Sequence, residues 1–267
     1  MKAWLDLYRA HLVTSLAVMF HYRAEMFIWM IGRVVEPVIY LVVWTTVARS
    51  HGGRVGGYAI PEFAAYYLIL MVVNWATFSW IMFEFEHRIR QGALSSMLLR
   101  PVHPWHSDLA DNIAYKLVTL VILVPSVLLL SLLFTPSLPL EAWRVALLLP
   151  ALGLAFIMRF LFEWTLAQAA FWTTRVDALN QLYFFVLVFF SGRVAPVSLF
   201  PETLGNLARA SPFYWMVGFP TELLLGKVSL QEAGQGLAVQ AAYAALSGAL
   251  LRLLWRASLR KYSAVGG

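Results

Sequence analysis

Val118-Thr-Leu-Val-Ile-Leu-Val-Pro-Ser-Val-Leu-Leu-Leu-Ser-Leu-Leu-Phe134 contains no charged side chain and no alternation of polar with apolar residues. A continuous apolar run of this length reads as a helix within a lipid bilayer, whereas a membrane barrel strand would alternate. Working outward from it, six such runs are found, at 26–47, 63–85, 113–134, 145–171, 179–200 and 233–255. Each approaches or exceeds the roughly 20 helical residues that cross a hydrocarbon core of about 30 Å. The expected fold is all-α: a single polytopic domain over 1–267 with six transmembrane helices.

Composition agrees. Of the 267 residues 61% are hydrophobic and 13% are charged, against about half and about a quarter in a soluble domain. Much of the Trp lies near the ends of the apolar runs, as expected of side chains that sit at headgroup level. The absence of cysteine excludes disulfides, zinc thiolates and thiol catalysis. The first 24 residues mix polar and apolar side chains without a continuous apolar core, so no cleavable signal peptide is expected.

Within that opening stretch Leu5, Tyr8, Leu12, Leu16 and Met19 recur at three- and four-residue steps, flanked by Lys2 and Arg9. The pattern predicts a helix over 1–24 lying in the membrane interface. With six spans and the N-terminus inside, twelve Lys and Arg fall in inner segments, Lys116 and Arg175 among them, and five in outer ones. The positive-inside rule therefore places both termini in the cytoplasm, and the net charge of +6 reflects topology rather than a nucleic-acid partner. The inner segment 86–112 is long, charged and rich in turn formers. The outer segment 201–232 holds the apolar stretch 212–225, too short to cross, which reads as a re-entrant or interfacial piece before the last span.

Motifs for phosphate cradling or dinucleotide binding are missing, so any ATP used must be bound by another subunit. Gly52-Gly53 and Gly56-Gly57 sit in a short outer loop without the strand–turn–helix context of a phosphate site. His103 and His106, followed by Asp108 and Asp111, lie in a proline-broken segment with no further ligand pattern, and no metal site is expected. Charges within the spans are functional candidates. Arg33 with Glu36 and Arg159 with Glu163 stand at helical spacing, so each pair is expected to neutralise itself. Pro37 is expected to bend the first span beside the first pair. Arg193 has no carboxylate at helical spacing and reads as an anchor near the outer face or as a charge lining an outward path.

Further residues carry a resemblance. The inner loop reads Gly92-Ala-Leu-Ser-Ser-Met-Leu-Leu-Arg-Pro101, and later come Gly192-Arg-Val-Ala-Pro196, Phe200-Pro201, Ser211-Pro212-Phe213-Tyr214, Pro220 and Gly226. With the interfacial helix and six spans, the whole chain resembles the permease subunit of type-2 ATP-binding-cassette (ABC) exporters, closer to the bacterial branch of drug, antibiotic or viologen-like efflux. The resemblance implies two permeases, identical or a related pair, in the cell membrane on separate cytoplasmic ABC ATPase subunits that hold the ATP and Mg. It implies that Gly92, Leu94, Leu98, Leu99, Arg100 and Pro101 form the coupling element within 86–112. It also implies that Gly192, Arg193, Pro196, Pro201, Pro212, Phe213, Pro220 and Gly226 shape the outer re-entrant hairpin. No catalytic residue and no cofactor are expected on this chain.

Two other classes compete. A lipid-modifying enzyme would use convergent acids or histidines, and Glu84, Glu86, His87, Asp108 and Asp111 cluster near the inner interface without catalytic spacing. An ion-coupled carrier would show repeated halves with interrupted helices, and none is visible in the sequence.

Overall fold

The computed structural model describes residues 2–173 and 176–262, and Arg175 lies outside them. Among the described residues the regular secondary structure is helical apart from one two-stranded antiparallel hairpin, β1 (Arg54–Val55) and β2 (Tyr58–Ala59). Among the described residues five helices are long and apolar enough to cross a membrane: Arg23–Ser50, Ile60–Arg90, Trp105–Phe134, Ala142–Phe171 and Leu230–Lys261. The polytopic, nearly all-α fold is therefore present.

The first element, α1 (Lys2–His21), lies along α6 (Trp105–Phe134). Of the predicted stripe, Tyr8, Leu12, Leu16 and Met19 turn toward the protein, but Leu5 is exposed. Ser15, among Leu12, Leu16 and Met19, adds a polar contact to the docked face by donating its hydroxyl to Asp111. Trp4, Val13, Val18 and Phe20 are exposed beside this face, so α1 offers apolar surface to both protein and lipid. Next, α2 (Arg23–Ser50) runs unbroken through Pro37, with no interruption beside Glu36.

At the centre is α3 (Ile60–Thr77), packed against α2, α6, α7 (Ala142–Ala167) and α10 (Phe219–Leu225). Its apolar side chains from Phe63 to Met71 are buried all round, the pattern of a helix enclosed by other helices. The predicted span 63–85 is interrupted: α3 stops at Thr77, residues 78–80 are not helical, and α4 (Ile81–Arg90) resumes the path. Segment 86–112 is mostly helical rather than a loop, holding the end of α4, α5 (Ala93–Leu98) and the start of α6. The helix α11 (Leu230–Lys261) lies along α7.

Both chain ends meet at one face, the near face. Tyr8 Oη is 2.7 Å from His106 Nδ1, the Trp255 ring centroid is 4.6 Å from that of His103, and Tyr262 Oη is 2.7 Å from Ser95 Oγ. The chain also makes a shorter traverse between α7 and α11. It leaves the near face at Phe171, which touches Tyr262, and reaches the hairpin at the far face, where Ser198 Oγ is 3.1 Å from Tyr58 Oη. Only the first part is helical, α8 (Asp177–Phe190), so the predicted span 179–200 is half helix and half irregular chain.

The irregular half is held by tyrosines and a tryptophan. Tyr66 donates to the Gly192 carbonyl at 2.7 Å; Tyr67 and Trp44 both donate to the Val194 carbonyl at 2.8 Å. Non-helical backbone at membrane depth persists only where protein groups satisfy it, and these three side chains do so. Gly192 has φ +87°, a left-handed conformation, and a Cβ there would lie 2.6 Å from Tyr66 Oη. Gly192→Ala is expected to cost about 1–3 kcal/mol through strain and displacement of that hydroxyl, read as a lower midpoint in denaturant unfolding of the detergent-solubilised protein.

Candidate functional site

Three groups of side chains mark the chain as a working membrane part, one at each face and one between. At the near face α5 projects from the bundle. Gly92, at φ +70°, provides the left-handed residue that turns α4 into α5. Leu94 is fully buried and anchors the short helix, Leu98 is partly buried, and Leu99 is 88% exposed. Arg100 and Pro101 are also exposed. The six predicted coupling residues thus divide into a hinge, an anchor with partial support, and an outward tip.

Behind α5, Arg88 gathers the acids of this face. It bonds Asp108 at 2.5 Å and Glu84 at 3.1 Å, and lies 3.9 Å from Asp111. Trp164 Nε1 donates to the second Asp108 oxygen at 3.0 Å, and Glu86 lies 3.6 Å from Arg90. Each of these carboxylates thus lies within 4 Å of Arg88 or Arg90. His103 sits against the Trp164 and Trp255 rings; burial there and the neighbouring His106 hold its pKa below the usual imidazole value. Among the described residues no three acids or histidines converge as metal ligands.

Between the faces, Arg159 and Glu163 pair at 2.9 Å with both side chains fully buried, as their spacing predicts. Tyr183 donates to the same Glu163 oxygen at 2.9 Å, and Arg159 donates to Asn74 Oδ1 at 3.4 Å. The pair therefore joins α3, α7 and α8. The other predicted pair does not form. Glu36 bonds Arg193, 157 positions away, and Arg33 lies flat over Phe78, its Cζ 3.3 Å from the ring centroid. The reason is the irregular half of the α8 traverse, which carries Arg193 alongside α2 and gives Glu36 a partner that helical spacing cannot reveal.

Sequence reading also missed Lys116. It was counted with the inner segments, yet it lies well inside α6 and donates to the Phe78 carbonyl at 2.8 Å, satisfying part of the interruption between α3 and α4. A lysine three residues inside an apolar run was the available signal.

At the far face the chain after the traverse forms a hairpin. Pro196 precedes a 3-10 turn at Val197–Leu199 and Pro201 precedes α9 (Glu202–Ala210). Pro212 and Phe213 lead into a π-helical turn, Tyr214–Gly218; Phe213 lies against Phe162 and Tyr183, close to the Arg159–Glu163 pair. Gln240 donates to both the Trp215 and Ala151 carbonyls, at 2.8 and 3.2 Å. Both Gln240 and Ala151 lie about 15 Å along their helices from the far face at about 1.5 Å per residue, so the turn descends to that depth. The chain returns through α10, with Pro220 in its first turn and Gly226 at its end. Lys227 then bonds Glu62 at 2.6 Å, beside the hairpin. The segment thus dips between α7 and α11 and comes back to the face it left.

The profile of the ABC-2 family transporter proteins matches residues 34–266. The chain belongs to this family. It is accordingly a membrane permease component of an ABC transporter, a type of chain that works with ABC ATPase subunits. No curated protein and no solved structure matches it. Within this permease, Glu163→Gln would leave Arg159 buried without its counter-charge. Losing one partner of a buried pair costs about 3–5 kcal/mol, and the expected result is a marked drop in the thermal unfolding midpoint, with Tyr183→Phe showing a smaller one.

Proposed function

We propose that this permease pairs with a second one, identical or related, to form the path of an ATP-driven exporter for a hydrophobic or amphipathic substrate. The near face is cytoplasmic in this reading, and ATP and Mg are held by separate ATPase subunits docked there. The observation that carries it is α5, a short helix anchored by Leu94 that offers Leu99, Arg100 and Pro101 at the face where both chain ends lie. The basic residues of that face, among them Arg9, Arg23, Arg90, Arg252, Arg256 and Arg260, support the orientation.

The second permease is supported by Glu36 and Arg193. Their ion pair bridges α2 and the α8 traverse, yet the Glu36 side chain remains 35% exposed. A charge left against hydrocarbon is costly, and another protein surface removes that cost. Nucleotide-driven closure of the ATPases would push α5, and the packed helices would shift as rigid bodies between two arrangements. Because Arg159–Glu163 and the Arg88 cluster tie α3, α4, α6, α7 and α8 together, such a push would move those helices as a unit.

Leu99→Asp combined with Arg100→Glu is expected to weaken ATPase binding by about tenfold or more, as loss of an exposed anchor does, and to abolish ATPase-dependent transport in proteoliposomes. Membrane insertion and thermal midpoint should not change, since both side chains face outward. Undiminished co-purification and coupling would remove α5 from this role.

A further inference from the structure

The interruption between α3 and α4 is lined by positive charge in excess of its carboxylates. Arg33 covers one side of the Phe78 ring, Arg159 Cζ is 5.3 Å from the same centroid, and Lys116 holds the Phe78 carbonyl. Glu163 belongs to Arg159 and Glu36 to Arg193. Among the described residues no carboxylate forms a salt bridge with Arg33 or Lys116. At about 1.5 Å per residue, Arg33 and Lys116 each lie about 15 Å along their helices from the near face, and Phe78 is at a comparable depth above Arg90. The cations therefore share one level of the bundle.

Unused hydrogen-bonding capacity lies at the same place. Arg159 Nη2, Arg33 Nε and Ser79 Oγ are buried without a hydrogen-bond partner, and the Arg159 and Ser79 residues are fully buried. Ser79 stands in the interruption itself. Trp80 caps α4 with no side-chain bond to the free N–H groups of its first turn, the end of a helix that favours an anion. A groove of about 600 Å³, lined by Arg88 and Arg100 and also by Glu25, Glu84 and Asp111, runs from the near face between α1 and α4 up to Trp80 without reaching the donors themselves. There the Trp80 ring stands edge-on to Tyr115 at 4.7 Å and to Phe78 at 6.0 Å, an aromatic wall between groove and cations.

We propose that this interruption binds the phosphate-type head group of an anionic amphiphile, with Arg33, Lys116, Arg159 and Ser79 as its donors and the apolar tail left among the surrounding helices. Guanidinium and ammonium groups with a free helix N-terminus suit a phosphate oxygen set, and interrupted membrane helices present such ends to anionic groups. As a substrate class this rests on the exporter reading above; as a binding site it stands on the side chains alone.

The test uses the full chain in phosphatidylcholine nanodiscs, titrated with dodecyl phosphate. Saturable binding is expected, weakened about tenfold or more by Lys116→Gln or Arg33→Gln, the loss of one charge–charge contact. Lys116→Arg should remain within about threefold of the unaltered chain, which keeps the cation. Ser79→Ala, which leaves every charge in place, should also weaken binding, and carries the test if a charge variant fails to insert. Dodecyltrimethylammonium should not compete, and inorganic phosphate alone should compete poorly. Competition by phosphatidylglycerol nanodiscs would identify a membrane phospholipid as the occupant, and its absence with stimulated ATPase activity in the complex would identify an exported one; either supports the site. Equal binding of the cationic amphiphile, or unchanged affinity in the inserted Lys116→Gln and Ser79→Ala variants, would overturn it. Because binding is read without the ATPase, this result is independent of whether α5 docks one.

Discussion

Hydrocarbon offers no partner to a polar group, and every charge carried into this bundle has to be answered from within it. Arg159 and Glu163 show the consequence most plainly. Neither side chain reaches solvent, so Asn74 and Tyr183 are drawn to them, and the helices bearing those residues are fixed around α7. Hydrophobic surface alone would not choose one arrangement, because lipid tails are as apolar as the helix faces they replace. The polar centre supplies the choice. Phe213 of the re-entrant hairpin then packs on Tyr183, so the far-face structure is built outward from the same point.

The near face repeats the principle with one cation serving several acids. Arg88 brings α4 to α6 through Asp108, Trp164 brings α7 to the same carboxylate, and Ser15 adds α1 through Asp111. Asp108 and Asp111, two of the acids that the sequence clusters near this face, join α1, α4, α6 and α7. The short helix at that face is attached to the Arg88 cluster through α4 and to the last helix through Ser95 and Tyr262.

Much of the architecture was legible because apolar runs and turn residues act locally. The long helices, the helix at the start, the short helical pieces within the apolar stretch 212–225 and the i, i+4 pair Arg159–Glu163 all follow from spacing. The departures share a physical cause: a distant group decides a local conformation. Residues 78–80, Phe-Ser-Trp, contain neither glycine nor proline to announce a break, and Lys116 answers the interruption by donating to the Phe78 carbonyl. The helix after Asp177 ends early because Tyr66, Tyr67 and Trp44 supply the hydrogen bonds that continued helix would have made. Glu36 ignores Arg33 because Arg193 arrives from elsewhere in the chain. Similarly, Leu5 fits the apolar period of α1, but Ser15 is the residue that finds a partner on α6.

Gln240 has a bearing on how the protein is made. Its amide holds the carbonyl of Trp215 in the π-helical turn and that of Ala151 in α7, yet it lies in α11, which follows the hairpin in the chain. The hairpin is synthesised first, and both Gln240 and Tyr243, whose hydroxyl donates to the Ala210 carbonyl at 2.6 Å, reach it only when α11 has entered the membrane. The seat of the hairpin tip is therefore completed only once synthesis has passed through α11, later than the hairpin itself, and a nascent polypeptide stalled short of α11 would leave the Trp215 and Ala151 carbonyls without that amide.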